Sequence, residues 1–150
     1  IIALAVLLFF LKKRPLSLMI VLSYALSGIF VQIIKYFYNS ARPGKLLEGM
    51  DYHNFVEGVT LHTLNSFPSG HTTSAFALAA ILGFAVKNKN YSISFLLIAA
   101  MVGYSRIYLG QHFMVDVLAG SVIGVLSAII VEMLFRKWSG KLFQKNNKYF

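Results

Sequence analysis

The sequence predicts an all-α protein, a polytopic bundle of transmembrane helices, and two observations carry that prediction. Hydrophobic residues make up 57% of the 150 residues and charged residues only 13%, whereas soluble domains carry about 25% charged residues. The hydrophobic residues also fall into long runs, and most of these runs are joined by short turns, which is typical of antiparallel helices in one bundle. A surface with so few charges requires lipid as part of its solvent.

Five membrane spans are predicted along the chain, and the first of them is incomplete. The opening apolar run, residues 1–11, is about half of the roughly 20 residues that a span needs. Its basic residues follow the run, whereas a signal peptide carries them in front. We therefore expect residues 1–11 to be the end of a truncated span. The four further spans are predicted at residues 16–36, 71–86, 91–109 and 113–135.

The chain is expected to form a single transmembrane domain over residues 1–150. This domain is expected to lack its N-terminal helix and to end in a basic cytoplasmic tail at residues 136–150. The one long connection, residues 40–67, contains glycine, asparagine, histidine and acidic residues. This composition predicts a segment outside the hydrocarbon.

The basic residues predict both the partners and the orientation. Lys and Arg number 14 against 5 acidic residues, for a net charge of +9. Beside such apolar runs, this charge favours anionic lipid headgroups over nucleic acid. Ten of the 14 basic residues fall within residues 12–14, 87–89 and 136–148, all on one face if the spans alternate, and the positive-inside rule makes that face cytoplasmic. The opposite face keeps Lys35, Arg42, Lys45 and Arg106.

Three clusters of polar residues are predicted to converge on that opposite face, because each lies at a span end of similar depth. They are Lys35-x6-Arg42-Pro43, then Pro68-Ser69-Gly70-His71, and then Ser105-Arg106-x5-His112-x3-Asp116.

The residue types in these clusters suit the binding and attack of a phosphate group. Arginine pairs bidentately with phosphate oxygens and lysine adds a point charge. Ser69 and Gly70 precede a helix, whose first N–H groups are unpaired and bind anions. His112 and Asp116 are four residues apart, so the carboxylate can orient the imidazole. His71 is a candidate proton donor to a leaving alkoxide.

Each feature also has a structural interpretation. A lone lysine at a span end usually extends to the interface, Pro-Ser-Gly often only starts a helix, and His112 with Asp116 can be a structural pair. Asp116 is the hardest to explain in this way, because an ionisable group inside a span is costly without a partner. The occurrence of all three clusters on one face favours a joint site. The loop residues His53 and His62 are interpreted as solvated. The loop carboxylates Glu48, Asp51 and Glu57 could in principle bind a metal, but their irregular spacing is weak evidence for such a site.

The three clusters resemble, in order and in spacing, the signature motifs of the type 2 phosphatidic acid phosphatase superfamily, which includes vanadium haloperoxidases and bacterial acid phosphatases. The resemblance implies a six-helix membrane fold with its site on the outer side. It also implies that His112 is the nucleophile and forms a phosphohistidine, that Asp116 orients it, and that His71 is the general acid. Phosphate would be bound, without a metal or other cofactor, by Lys35, Arg42, Ser69, Gly70 and Arg106.

The leading functional hypothesis is hydrolysis of a phosphomonoester or diphosphate on a membrane lipid, with phosphatidic acid, phosphatidylglycerol phosphate and undecaprenyl diphosphate as candidates. The expected location is a bacterial inner membrane, with the active site facing the periplasm or exterior. Transfer of the phosphoryl group to another lipid or sugar is an open alternative. A non-catalytic lipid-phosphate binder or transporter is another, although it would not need both histidines. A vanadate-dependent oxidase would share the anion site, but its relatives are soluble. The sequence leaves the oligomeric state open.

Overall fold

The structure, a computed structural model, describes residues 1–47, 56, 59, 60 and 62–143, with side chains as far as residue 138. Within these ranges every regular element is an α-helix, which confirms the all-α prediction. The helices are α1 (Ile2–Phe10), α2 (Arg14–Phe37), α3 (Pro43–Leu46), α4 (Gly70–Ala85), α5 (Lys89–Tyr108) and α6 (Met114–Phe143).

Three of the helices are long and apolar enough to cross a membrane: Arg14–Phe37, Lys89–Tyr108 and Met114–Trp138. The sequence predicted five spans, and among the described residues the other two candidates are shorter. Helix α4 has 16 residues, so it is about 24 Å long, against a hydrocarbon thickness of about 30 Å. Helix α1 has only 9 residues. The protein is therefore an integral membrane protein with three helices of spanning length.

The helix boundaries follow local sequence signals. Pro15 lies in the first turn of α2, where its missing N–H costs nothing. Ser69 caps α4, and its side chain accepts a hydrogen bond from the Thr72 N–H. Asn88 caps α5 in the same way, through the Asn90 N–H. These caps satisfy backbone donors that a helix start leaves unpaired.

Two features of the helices were not predicted. Proline at the first position starts the short helix α3 within the loop. Helix α6 was expected to end at residue 135 but continues to Phe143. No proline interrupts this stretch, and a Glu132–Arg136 ion pair one turn apart supports the helix across the predicted boundary. Residues 144–150 of the expected basic tail lie outside the described residues.

Helix α4 lies at the centre and packs against α2, α5 and α6. Ile20 of α2, Ile81 of α4 and Ala128 of α6 are fully or almost fully buried in the shared core. The contact between α4 and α6 is especially close. A Cβ atom on Gly120 would lie 2.7 Å from the Ser69 carbonyl oxygen, and one on Gly124 would overlap the backbone of α4. Glycine at these two positions therefore allows the close approach of α4 and α6.

Candidate active site

The ends of four helices surround one cavity of about 520 Å³, formed by the C-terminal ends of α2 and α5 and the N-terminal ends of α4 and α6. Its walls contain six of the eight residues that the sequence singled out, namely Lys35, Arg42, Gly70, His71, Arg106 and His112. The other two, Ser69 and Asp116, are buried directly behind that wall.

His112 and Asp116 form a buried pair at the start of α6. The His112 Nδ1 atom lies 3.4 Å from Asp116 Oδ2, and the two side chains are each 3% exposed. The Phe113 N–H donates to the same carboxylate oxygen at 2.9 Å. A carboxylate beside Nδ1 favours the tautomer with the proton on that nitrogen, which leaves the lone pair on Nε2. His112 also lines the cavity, so it presents an imidazole of defined tautomer to it.

Ser66 is a further member of this group that the sequence did not suggest. Its hydroxyl donates a short hydrogen bond to Asp116 Oδ2 and lies 3.5 Å from His112 Nδ1. The side chain is completely buried. Ser66 precedes the Pro68-Ser69-Gly70-His71 cluster by two residues, and no periodicity or motif marks it.

The turn at the start of α4 is tied to α6. The Ser69 N–H donates to the Asp116 carbonyl oxygen at 3.0 Å, while the Ser69 hydroxyl accepts hydrogen bonds from the Thr72 hydroxyl at 2.9 Å and the Thr72 N–H at 3.4 Å. Ser69 therefore faces its own helix and α6, whereas the following residues, Gly70 and His71, line the cavity.

Arg42 lines the cavity and also donates hydrogen bonds to the loop that precedes α4. Its Nε atom donates to the Leu64 carbonyl at 2.8 Å, and Nη2 donates to the Asn65 carbonyl at 3.4 Å. Nη1 donates to both the backbone and the side-chain oxygen of Gln111, each at 3.2 Å. Burial lowers the pKa of the Arg42 guanidinium, and the Asp116 carboxylate opposes that shift. Arginine nevertheless stays charged in proteins, so Arg42 is a fixed cation.

The other two cations of the cavity come from helix ends. Lys35 lies in the last turn of α2 and Arg106 in the last turn of α5. Arg106 Nε donates to the Ser105 hydroxyl at 3.3 Å. Lys45, the fourth basic residue predicted on this face, does not line the cavity. The cavity thus contains three of the four basic residues of that face.

Gln111 and His62 are among the residues that line the cavity although the sequence did not assign them to the site. Gln111 is buried, and its Nε2 atom donates to the Thr60 carbonyl at 2.9 Å. His62 is exposed yet contributes to the cavity wall, although its place in the loop suggested only solvation. The described residues contain no group of three histidines or carboxylates that could hold a metal ion. The loop residues Glu48, Asp51, His53 and Glu57 lie outside the described residues.

The comparisons with known proteins agree on one family. The model of the PAP2 superfamily matches residues 16–139. The chain is 30% identical to a lipid A 4'-phosphatase of Porphyromonas gingivalis over 151 residues, covering 93% of this chain and 64% of the relative. It is 37% identical to the undecaprenyl-diphosphatase BcrC of Bacillus subtilis, covering 55% of this chain and 43% of the relative. It is 29% identical to phosphatidylglycerophosphatase B of the same organism, covering 83% and 60%.

A solved structure is similar as well. The crystal structure of Aquifex aeolicus LpxE superposes with a TM-score of 0.75 at 32% identity, covering 87% of this chain and 74% of that one. The chain spans less than two thirds of the length of each of the three curated relatives.

Proposed function

This chain belongs to the PAP2 superfamily, and from that membership we propose that it is an integral membrane enzyme that hydrolyses a phosphomonoester or diphosphate of a membrane lipid. The observation that carries the proposal is the cavity at the helix ends. Three cations and the two imidazoles of His71 and His112 line that one cavity, with a carboxylate behind the second imidazole. The cations can bind a phosphate anion, and an imidazole oriented by a carboxylate can attack its phosphorus atom.

Lys35, Arg42 and Arg106 bind the phosphate oxygens in this proposal, with the turn at Ser69 and Gly70 beside them. Fixed cations at the cavity stabilise the charge that spreads over the equatorial oxygens during phosphoryl transfer. They supply the positive charge that a divalent metal ion supplies in other phosphoryl-transfer enzymes, so the proposed reaction needs no metal.

The proposed reaction has two steps. In the first, the His112 Nε2 lone pair attacks phosphorus, the bond from phosphorus to the lipid oxygen breaks, and His71 donates a proton to that oxygen. Asp116 stabilises the positive charge that the His112 ring acquires. In the second step, water attacks the phosphohistidine, His71 accepts its proton, and inorganic phosphate leaves with His112 restored.

The names of the relatives support a lipid phosphate as substrate. They name lipid A 4'-phosphate, undecaprenyl diphosphate and phosphatidylglycerol phosphate, and the last two were among the candidates suggested by the sequence. Lipid A was not, because nothing in the motifs distinguishes one headgroup from another. We include it among the candidates with phosphatidic acid.

The decisive experiment is a panel of these four lipids, each presented to the full-length protein in detergent micelles and assayed for released phosphate. Release from at least one of them is expected. If phosphate is transferred to an added lipid or sugar acceptor and none is released, the protein is a phosphotransferase. If no lipid loses phosphate while all four bind, the protein is a non-catalytic binder.

We further propose that α1 and α4 complete a set of five membrane-inserted helices and that the cavity opens to the periplasm or exterior. The distribution of basic residues supports this orientation. Because the chain contains no cysteine, single cysteines can report it. Lys45→Cys and Lys87→Cys replace exposed residues on the two opposite faces. A membrane-impermeant maleimide added to intact cells should label Lys45→Cys alone, and labelling of Lys87→Cys alone would reverse the orientation.

A further inference from the structure

We propose that Ser66 is a positioning residue of the active site, which holds the Asp116 carboxylate and, through it, the orientation of the His112 ring. This role rests on the proposed function, since it concerns the same reaction. It goes beyond the three motifs, none of which includes Ser66.

The argument starts from the donors around one atom. Asp116 Oδ2 accepts hydrogen bonds from the Ser66 hydroxyl and the Phe113 N–H, and His112 Nδ1 lies 3.4 Å away. Phe113 and His112 belong to the same turn as Asp116, so they move with it. Among the described residues, Ser66 is the only one of these donors that comes from another segment of the chain. It therefore fixes the pair relative to the rest of the cavity.

Ser66 itself is held in place by its backbone. Its N–H donates to the Ser40 carbonyl at 3.1 Å, and the N–H of the next residue, Phe67, donates to the Ser40 hydroxyl at 2.9 Å. Ser40 thus fixes two consecutive backbone N–H groups. Neither bond involves the Ser66 side chain, so both survive its replacement.

The hydroxyl also affects the tautomer of His112. Because its proton is donated to Asp116, the Ser66 oxygen presents lone pairs toward His112 Nδ1, which is 3.5 Å away. The surroundings of Nδ1 then consist of two acceptors, and both favour a proton on that nitrogen. Without the hydroxyl, the carboxylate can rotate about its own side-chain bonds, and His112 loses part of what aligns Nε2 for attack.

The test compares Ser66→Ala, Ser66→Thr and the matched control Ser127→Ala in the full-length protein, using the lipid of the panel that the wild type hydrolyses fastest. Ser127 is as completely buried as Ser66, but its hydroxyl donates to the Ile123 carbonyl of its own helix. We expect Ser66→Ala to lower kcat by about 10- to 100-fold, by analogy with the loss of a partner that orients a metal-bound histidine. KM should change by less than about threefold, Ser66→Thr should recover part of the rate, and Ser127→Ala should match the wild type.

A double-mutant cycle with Asp116→Asn separates positioning from structural support. If Ser66 acts through Asp116, adding Ser66→Ala to Asp116→Asn should cost little further rate, because the two changes remove one interaction. The full loss appearing again in the Asp116→Asn background would overturn the proposal. So would a kcat for Ser66→Ala equal to that of the wild type, or a failure of Ser66→Ala to fold, which would give the hydroxyl a structural role. Absence of phosphate release by the wild type would instead overturn the proposed function.

Discussion

Adding one methyl group at Gly120 is expected to force α4 away from α6 and to disturb the active site from behind. The new Cβ atom would lie 2.7 Å from the Ser69 carbonyl oxygen and 3.0 Å from Thr73 Oγ1. Ordinary contact begins at 3.4 Å, so the Ser69 backbone must retreat by about 0.7 Å. A carbonyl oxygen cannot rotate away as a side chain can. The shift therefore moves the whole turn at the start of α4.

The magnitude has two parts. Extra volume in a packed core costs about 1–3 kcal/mol, and for a protein of this length each kcal/mol lowers the midpoint of thermal unfolding by about 2–4 °C. The same turn donates the Ser69 N–H to the Asp116 carbonyl oxygen and carries Gly70 and His71 into the cavity. Misplacement of reactive groups by about 1 Å can cost about 100-fold in rate, so kcat should fall by about one to two orders of magnitude.

The assay pairs thermal unfolding in detergent with phosphate release, and Gly83→Ala is the matched control. Gly83 lies within α4 away from the cavity, and a Cβ atom there would meet Ser92 at 3.6 Å, an ordinary contact. Gly83→Ala should therefore keep the wild-type rate and, since alanine favours a helix over glycine, gain about 0.5–1 kcal/mol of stability. A Gly120→Ala protein with the unfolding midpoint and kcat of the wild type would refute the close contact between α4 and α6.

Four other outcomes are expected. His112→Ala should abolish turnover while the protein still folds, and a wild-type rate in that variant would exclude His112 as the nucleophile. Arg42→Lys keeps the charge but loses the fork that donates to Leu64, Asn65 and Gln111, so kcat/KM should fall by about tenfold or more; an unchanged kcat/KM would show that charge alone suffices. Vanadate, which resembles the pentacoordinate phosphoryl group, should inhibit, whereas EDTA should leave the rate unchanged. Loss of activity in EDTA that Mg²⁺ restores would contradict the metal-free reaction.

The helices of the fold could be predicted closely because the bilayer imposes a strong signal on sequence. The predicted span at residues 16–36 corresponds to α2 at Arg14–Phe37, and that at residues 91–109 corresponds to α5 at Lys89–Tyr108. Of the five predicted spans, three correspond to helices of spanning length among the described residues. Helix α4 is buried among other helices, so its apolar composition reflects protein contacts as much as lipid, and its length falls short of a span.

The convergence of the polar clusters could also be predicted, because alternating helices bring consecutive ends to one side. The contacts made by the loop could not. Ser66 and His62 belong to the segment that leads into α4, and Gln111 meets that segment through its hydrogen bond to the Thr60 carbonyl. The position of the segment depends on hydrogen bonds such as the one from the Arg42 N–H to the Thr63 carbonyl, which nothing in the spacing of these residues indicates. For the same reason, the sequence could not predict that Arg42 donates hydrogen bonds to loop carbonyls as well as lining the cavity.

The alternation of the helices has an electrostatic consequence for the cavity. Aligned peptide dipoles give each helix about half a positive charge at its N-terminus and half a negative charge at its C-terminus. Helices α4 and α6 direct positive ends toward a bound anion, but the antiparallel order makes α2 and α5 direct negative ends toward it. Lys35 and Arg106 lie in the last turns of those two helices. Each therefore neutralises a repulsive helix terminus, and a neutral residue in its place would expose the anion to that repulsion as well as remove an attraction.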